Sequence, residues 1–111
     1  MAQVELLPEV TKFVEAPKLM IGGRRVDAVT GETFETIDPS TGEVLAEVPK
    51  GGVQDIDAAV AAAREAFEDR RWTGLRPGKK TQILYRLGEL IKKNLNELAQ
   101  IESLDAGKPI S

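Results

Sequence analysis

Apolar positions along the chain change period twice, and the changes divide it into elements. Over 8–15, Val10, Phe13 and Val14 recur at helical spacing behind Pro8, a residue favoured at the first helical position because its missing N–H is not needed there. Pro17 limits any continuation, and a helix this short must dock on something to persist. From 18 to about 50 the period becomes two. Lys18-Leu19-Met20-Ile21 and Arg24-Arg25-Val26 read as paired strands about Gly22-Gly23, because both central residues of a two-residue hairpin take positive φ. Thr30-Gly31 marks another turn. Phe34 to Ile37 alternates polar with apolar, and Asp38-Pro39-Ser40-Thr41-Gly42 supplies turn chemistry. Val44, Ala46 and Val48 then take alternate positions of a returning strand, with Glu43 and Glu47 on its other face. Leu45 interrupts the alternation, which predicts partial cover on both faces.

After Gly51-Gly52 the period turns helical, and three helices are predicted, at about 53–69, 79–93 and 95–106. Ile56, Ala59, Val60, Ala63 and Phe67 form the expected inward face of the first, with Arg64, Glu65 and Glu68 opposite. Asp55 and Asp57 in its first turn complement the helix dipole. The stretch 70–78, with Trp72, Pro77 and Gly78, reads as a loop whose indole lies as a lid over the core. Ile83, Leu84, Leu87, Leu90 and Ile91 make the apolar side of the second helix. Asn94 and Glu97 suggest a capping box that opens the third, whose Leu95, Leu98, Ile101 and Leu104 face inward. Gly107 fits the left-handed position past a helix end, and Pro109 the stop beyond it.

Composition bounds what these elements can do. The 111 residues suit one domain, divided here into a leader at 1–17 and the front part of a larger body at 18–111. Apolar residues at 41% and charged residues at 30% describe a soluble globular chain. The net charge is −3 and the basic pairs are scattered among acids, so no nucleic-acid partner is expected. No apolar run is long enough to span a bilayer, and 1–7 lacks a secretory signal, so a cytoplasmic location and no membrane partner are expected. Cysteine and histidine are both absent, which removes the commonest nucleophile, general base and metal ligand together. Gly22-Gly23 could also cradle a phosphate, but no G-x-G-x-x-G opens a helix, and the turn reading is preferred. The helices carry generous apolar faces while the strands are few and short. Apolar surface in water costs about 25 cal/mol per Å², so such faces call for a larger sheet.

Several runs together resemble the N-terminal region of aldehyde dehydrogenases. They are 18–29, Ile37-Asp38-Pro39-Ser40-Thr41-Gly42-Glu43-Val44, Asp55-Ile56-Asp57-Ala58-Ala59-Val60, Ala66-Phe67 and Leu104-Asp105-Ala106-Gly107-Lys108-Pro109. They fall in family order and spacing over nearly the whole chain. Leu7-Pro8-Glu9-Val10 with Phe13 is similar to the phenylacetaldehyde-type branch. Departures are Lys79-Lys80, where the family often has Glu-Arg, and Ala106, where it has a polar residue.

The resemblance implies an α/β fold: the N-terminal strands and helices of a dinucleotide-binding domain, incomplete in this chain. It implies an enzyme that oxidises an aldehyde substrate to a carboxylic acid with NAD or NADP through a cysteine thiohemiacetal, and a homo-oligomer. The family's cysteine nucleophile, glutamate base, oxyanion-hole asparagine and cofactor-binding lysine fall beyond the position of Ser111. No catalytic or cofactor-binding residue is therefore carried over, and the isolated chain is expected to be inactive. A second reading is a truncated, non-catalytic homologue that acts as an interaction or structural piece. Many members also hold a monovalent cation, K+ or Na+, and the matching positions are the backbone at Thr36 and Ile37 and the carboxylate of Asp105, with a later carbonyl. Elementary electrostatics agrees in part, because an aspartate in the last turn of a helix opposes the dipole unless a cation sits there. The alternative is a solvated Asp105 partly offset by Lys108.

Overall fold

The computed structural model describes residues 5–110, so the first four residues of the leader and Ser111 lie outside the described residues. The first helix, α1 (Pro8–Glu15), opens with proline in its first turn and buries Val10, which is only 1% exposed. It rests on the returning strand of the second hairpin and on the last helix. Two polar ties fix it there: the Leu7 N–H donates to Gln100 Oε1 at 2.9 Å, and Gln100 Nε2 donates to the Glu5 carbonyl at 3.4 Å. The docking that so short a helix requires is thus supplied by α4, more than 80 residues on in sequence.

Strands β1 (Leu19–Ile21) and β2 (Arg24–Val26) form an antiparallel hairpin in the register Ile21↔Arg24. Gly22 and Gly23 both have positive φ, 60° and 77°, as the two-residue turn demands. Strands β3 (Thr33–Ile37) and β4 (Val44–Pro49) form a second antiparallel pair. Thr36 faces Ala46 while Ile37 faces Val44, so Leu45 is the extra residue of a bulge. The interrupted alternation at Leu45 therefore marks an inserted residue rather than two covered faces. Leu45 and Ala46 are consecutive and both half-buried. Among the described residues the two hairpins stay separate, each a two-stranded sheet.

Helices α2 (Val53–Glu68), α3 (Pro77–Lys93) and α4 (Leu95–Ala106) follow. The helix α3 begins two residues before the predicted start, because Pro77 takes its first position rather than closing the loop. Trp72 is 41% exposed, with the Lys80 ammonium 5.8 Å from its ring centre. Asn94 does not cap α4: its side-chain amide donates to the Leu90 carbonyl at 2.8 Å and closes the end of α3 instead. Gly107 ends α4 at φ 72°, as expected.

The inward face of α2 is turned about a quarter of the way round from the predicted one: Ala59 lies on it and Arg64, Glu65 and Glu68 stay exposed as expected, but Ile56, Val60 and Phe67 are not covered. Asp55 is buried and Ala59, Ala62 and Ala66 are half-buried, and this small-residue side lies on β1 with Ala62 close to the Gly22 turn. Ile56, Val60 and Phe67 are 59%, 62% and 64% exposed. Small side chains permit the close approach, and the larger ones are left free. The inward sides expected of α3 and α4 are uncovered in the same way at Leu84, Leu87, Leu95 and Leu98.

The surface reports the same imbalance. A folded monomer of 12.1 kDa exposes about 6,000 Å², whereas this chain exposes 9066 Å². Its radius of gyration is 17.4 Å, against about 13 Å for a compact domain of similar length. Val10 and Ala28 are the buried hydrophobic side chains among the described residues.

Candidate functional site

The end of α4 meets the β3–β4 turn, and this junction holds the sequence-predicted site residues. The turn is built by its own polar groups. Asp38 Oδ1 accepts from the Ser40 N–H at 2.8 Å, the Thr41 hydroxyl accepts from the Glu43 N–H at 3.2 Å, and the Asp38 carbonyl accepts from the Gly42 N–H at 2.8 Å. Pro39 at its tip packs against Gly107. A β-carbon at Gly107 would lie 2.9 Å from Pro39 Cγ, so this position needs glycine for space as well as for its left-handed φ.

This seating brings Asp105 beside β3. Thr36 donates its hydroxyl to Asp105 Oδ1 at 3.5 Å, a long contact across 69 residues of sequence. Thr36 is half-buried and Asp105 exposed. No lysine or arginine lies within 4 Å of the Asp105 carboxylate among the described residues, Lys108 included. Ile37 follows Thr36 at the bulge with its side chain 45% exposed, and it does not line the groove that Thr36 and Asp105 share. That groove, about 470 Å³, runs between α1, β4 and α4; its floor is apolar, with Phe13, Leu45, Leu98 and Ile101, and Glu102 and Asp105 stand on it as the acids.

A carboxylate, a hydroxyl and the carbonyl oxygens of a helix end form an all-oxygen donor set, which suits a hard cation. No group of three or more Asp, Glu, His or Cys side chains gathers among the described residues, so an ion held here would depend on backbone oxygens. The groove does not fit a dinucleotide. It offers two carboxylates and no basic side chain to a pyrophosphate, and no step of chemistry is assigned to such a cofactor on these residues.

Asp55 is the polar residue that sequence reasoning undervalued. It is 4% exposed, and its two oxygens accept from the Val29 N–H at 3.1 Å and the Gly52 N–H at 2.9 Å. The second bond is half of a capping box, since Gly52 has no side chain to return it. The signal was in the sequence as a glycine followed three residues later by an acid. The bond to Val29 was not, because it spans 26 residues.

The altered carboxyl is at another place. Asp69, in the turn after α2, is held below the usual carboxylate range, chiefly by the side-chain hydrogen bonds of Arg71 and also by the Arg71 backbone N–H at 2.9 Å. Arg71 is raised in turn by the same contact. Both groups are exposed, so this pair orders a turn and marks no reactive site.

Two short antiparallel hairpins lead into three helices, with β3 tied to the end of α4, and make an arrangement of strands and helices. The sequence profile described as "Aldehyde dehydrogenase family" matches residues 26–111, and the chain belongs to that family. It is 47% identical over 96 residues to aldehyde dehydrogenase 1 of Tanacetum cinerariifolium, covering 86% of this chain and 19% of that protein. To the putative aldehyde dehydrogenase DhaS of Bacillus subtilis it is 40% identical over 111 residues, covering 96% and 22%. The NAD+ complex of aldehyde dehydrogenase from Bacillus cereus superposes with a TM-score of 0.87 at 44% identity, covering 94% of this chain and 21% of that one. The chain thus spans about a fifth of the length of the relatives it matches. Among the described residues no helix is long and apolar enough to cross a membrane.

Proposed function

We propose that this chain serves as the opening segment of an NAD(P)+-dependent aldehyde dehydrogenase that oxidises an aldehyde to a carboxylic acid, and that its own part is structural. The observation that carries this reading is the superposition on the NAD+ complex of the Bacillus cereus enzyme over 94% of the chain. The absence of cysteine and histidine agrees with it, since nothing in these residues supplies a thiol nucleophile or an imidazole base. Residues 18–111 then form the front of the cofactor-binding domain and 1–17 its leader. A homo-oligomer and a cytoplasmic setting belong to the same proposal and rest on the family and the make-up of the chain. The junction of Thr36, Ile37 and Asp105 binds a monovalent cation, K+ or Na+, in this reading. The approach of Thr36 to a carboxylate without a basic partner supports it. The second reading, a non-catalytic piece that works by docking, draws on the exposed apolar faces of α2 and α3.

The test is a single-chain fusion in which residues 1–111 replace the matching segment of the Bacillus cereus enzyme. NAD+-linked aldehyde oxidation is expected within about tenfold of the parent, a change of about 1.4 kcal/mol in barrier. The pure 111-residue chain is expected to show none, and turnover by that chain would overturn the reading. In the fusion, Asp105→Asn is expected to weaken the dependence of thermal stability on K+ or Na+. An unchanged dependence would remove the cation from the proposal.

A further inference from the structure

The end of α4 touches the β3–β4 segment at two points of unequal strength. One is the Thr36 hydroxyl on Asp105 Oδ1, at 3.5 Å the outer limit of a hydrogen bond. The other is the seat of Gly107 on Pro39, where a β-carbon on the glycine would fall 2.9 Å from Pro39 Cγ and 3.5 Å from Pro39 Cβ. Carbon atoms rest about 3.5–4.0 Å apart, so no side chain enters here without moving one partner. The two contacts are neighbours in both segments: Pro39 follows Thr36 by three residues, and Gly107 follows Asp105 by two. The first contact is too long to set its own distance. The second is not.

Neither side of the seat yields readily. The proline ring fixes its own φ. The turn around it is closed by Asp38, whose Oδ1 accepts from the Ser40 N–H at 2.8 Å, whose carbonyl accepts from the Gly42 N–H at 2.8 Å, and whose N–H donates to the Glu43 carbonyl at 2.9 Å. The bulge between Thr36 and Ile37 fixes how β3 enters that turn. On the helix side the Gly107 N–H donates to the Ser103 carbonyl at 2.9 Å. A push between Pro39 and Gly107 is therefore passed along the two backbones to Thr36 and Asp105 rather than absorbed in the turn.

We propose that Pro39 and Gly107 are positioning residues for the cation junction: their close contact sets the separation of Asp105 from β3, and through it the affinity for K+ or Na+. The proposal rests on the cation reading given above. It adds that the affinity is set from the tip of the β3–β4 turn, by side chains that offer the ion no oxygen. Binding sites hold their ligating groups to within about 0.5 Å, and a β-carbon at Gly107 would overlap Pro39 by more than that.

The experiment follows the thermal midpoint of the single-chain fusion against the concentration of K+ and, separately, Na+ at constant ionic strength. It reads the half-saturating concentration, because an ion that binds the folded state raises the midpoint as it saturates. Gly107→Asn is the main variant, since asparagine accepts a positive φ more readily than most side chains and the added bulk is then what matters. It is expected to raise the half-saturating concentration about tenfold, as loss of a group that orients metal ligands does. Adding Pro39→Ala, which removes Cγ, is expected to return it to the level of Pro39→Ala alone, about threefold above the parent. Gly31→Asn is the control. Gly31 also has a positive φ, 74°, but a β-carbon there meets nothing within 4 Å, so its half-saturating concentration is expected to match the parent whatever its midpoint. Pro39→Ala alone carries the test if Gly107→Asn does not fold. An unchanged half-saturating concentration in the variant that carries the test would overturn the proposal, as would a rise in Gly107→Asn that Pro39→Ala does not relieve. Either result, with a K+ or Na+ response that Asp105→Asn weakens, would leave the cation reading standing. A parent fusion whose midpoint ignores both ions would overturn the cation reading and this proposal with it.

Discussion

Asp55 joins three parts of the chain through one carboxylate. Its oxygens hold the Val29 N–H, at the exit of the first hairpin, and the Gly52 N–H, at the start of α2. It is 4% exposed, so truncation would leave two donors unsatisfied where replacement by solvent is poor. Asp55→Ala is therefore expected to destabilise the single-chain fusion by about 2–4 kcal/mol, from hydrogen bonds to a charged group. Asp55→Asn, which keeps one acceptor oxygen, should cost less, and chemical denaturation of the three proteins gives the order. Equal stability of the alanine variant and the parent would show that these bonds hold nothing. Only half of this role was legible in the sequence. The acid near a helix start could be read locally, but its tie to Val29 depends on where the hairpin exit comes to rest. Thr36 and Asp105 stand differently. The family resemblance pointed to the backbone at Thr36 and Ile37 as cation ligands with Asp105, whereas the contact in the fold is the long one from the Thr36 hydroxyl, and no local pattern in either segment points to the other.

At the level of elements, the eight helices and strands among the described residues were readable where they carry their own punctuation. Pro8, the Gly22-Gly23 pair, the Asp38 to Gly42 turn and Gly107 all do in the fold what their local chemistry requires. Misreadings arose where two local options compete. Pro77 can end a loop or begin a helix, and it begins α3. Asn94 can cap the helix that follows or close the one before, and its amide chooses the Leu90 carbonyl. Leu45 can extend an alternating strand or bulge it, and the pairing with β3 decides for the bulge. The periodicity of α2 was read correctly as amphipathic, but a period cannot say which side docks within this chain. The turn after α2 carries a pH prediction of its own. Asp69 has a lowered folded-state pKa, so its contribution to stability is present above the ordinary aspartate value and is lost as pH falls through the folded one. Arg71 causes the lowering, and the pair is exposed, so the effect on global stability is small. Carbon-13 labelling of aspartate in the fusion should place the Asp69 midpoint lower in the parent than in Arg71→Ala. Identical midpoints would contradict the assignment of cause.

At the scale of the whole molecule, the sequence already asked for more cover than its strands could give. The fold makes the request quantitative. About 3,000 Å² beyond the surface of a compact monomer is exposed, and Val10 and Ala28 are the buried hydrophobic side chains among the described residues. Hairpins of two strands are marginal in water, and among the described residues neither hairpin gains a third strand. The helices gain little from one another, since Leu84, Leu87, Leu95 and Leu98 stay exposed. In the function proposed above, the stability of the native arrangement comes from surfaces that the rest of the enzyme supplies. The most direct test is the thermal unfolding of the pure 111-residue chain in dilute solution, followed by circular dichroism together with sedimentation to fix its mass. The expected result is a broad, non-cooperative loss of structure, or association into larger species. A sharp, reversible transition from a monomer would contradict the account, because it would show that these elements hold a sufficient core of their own.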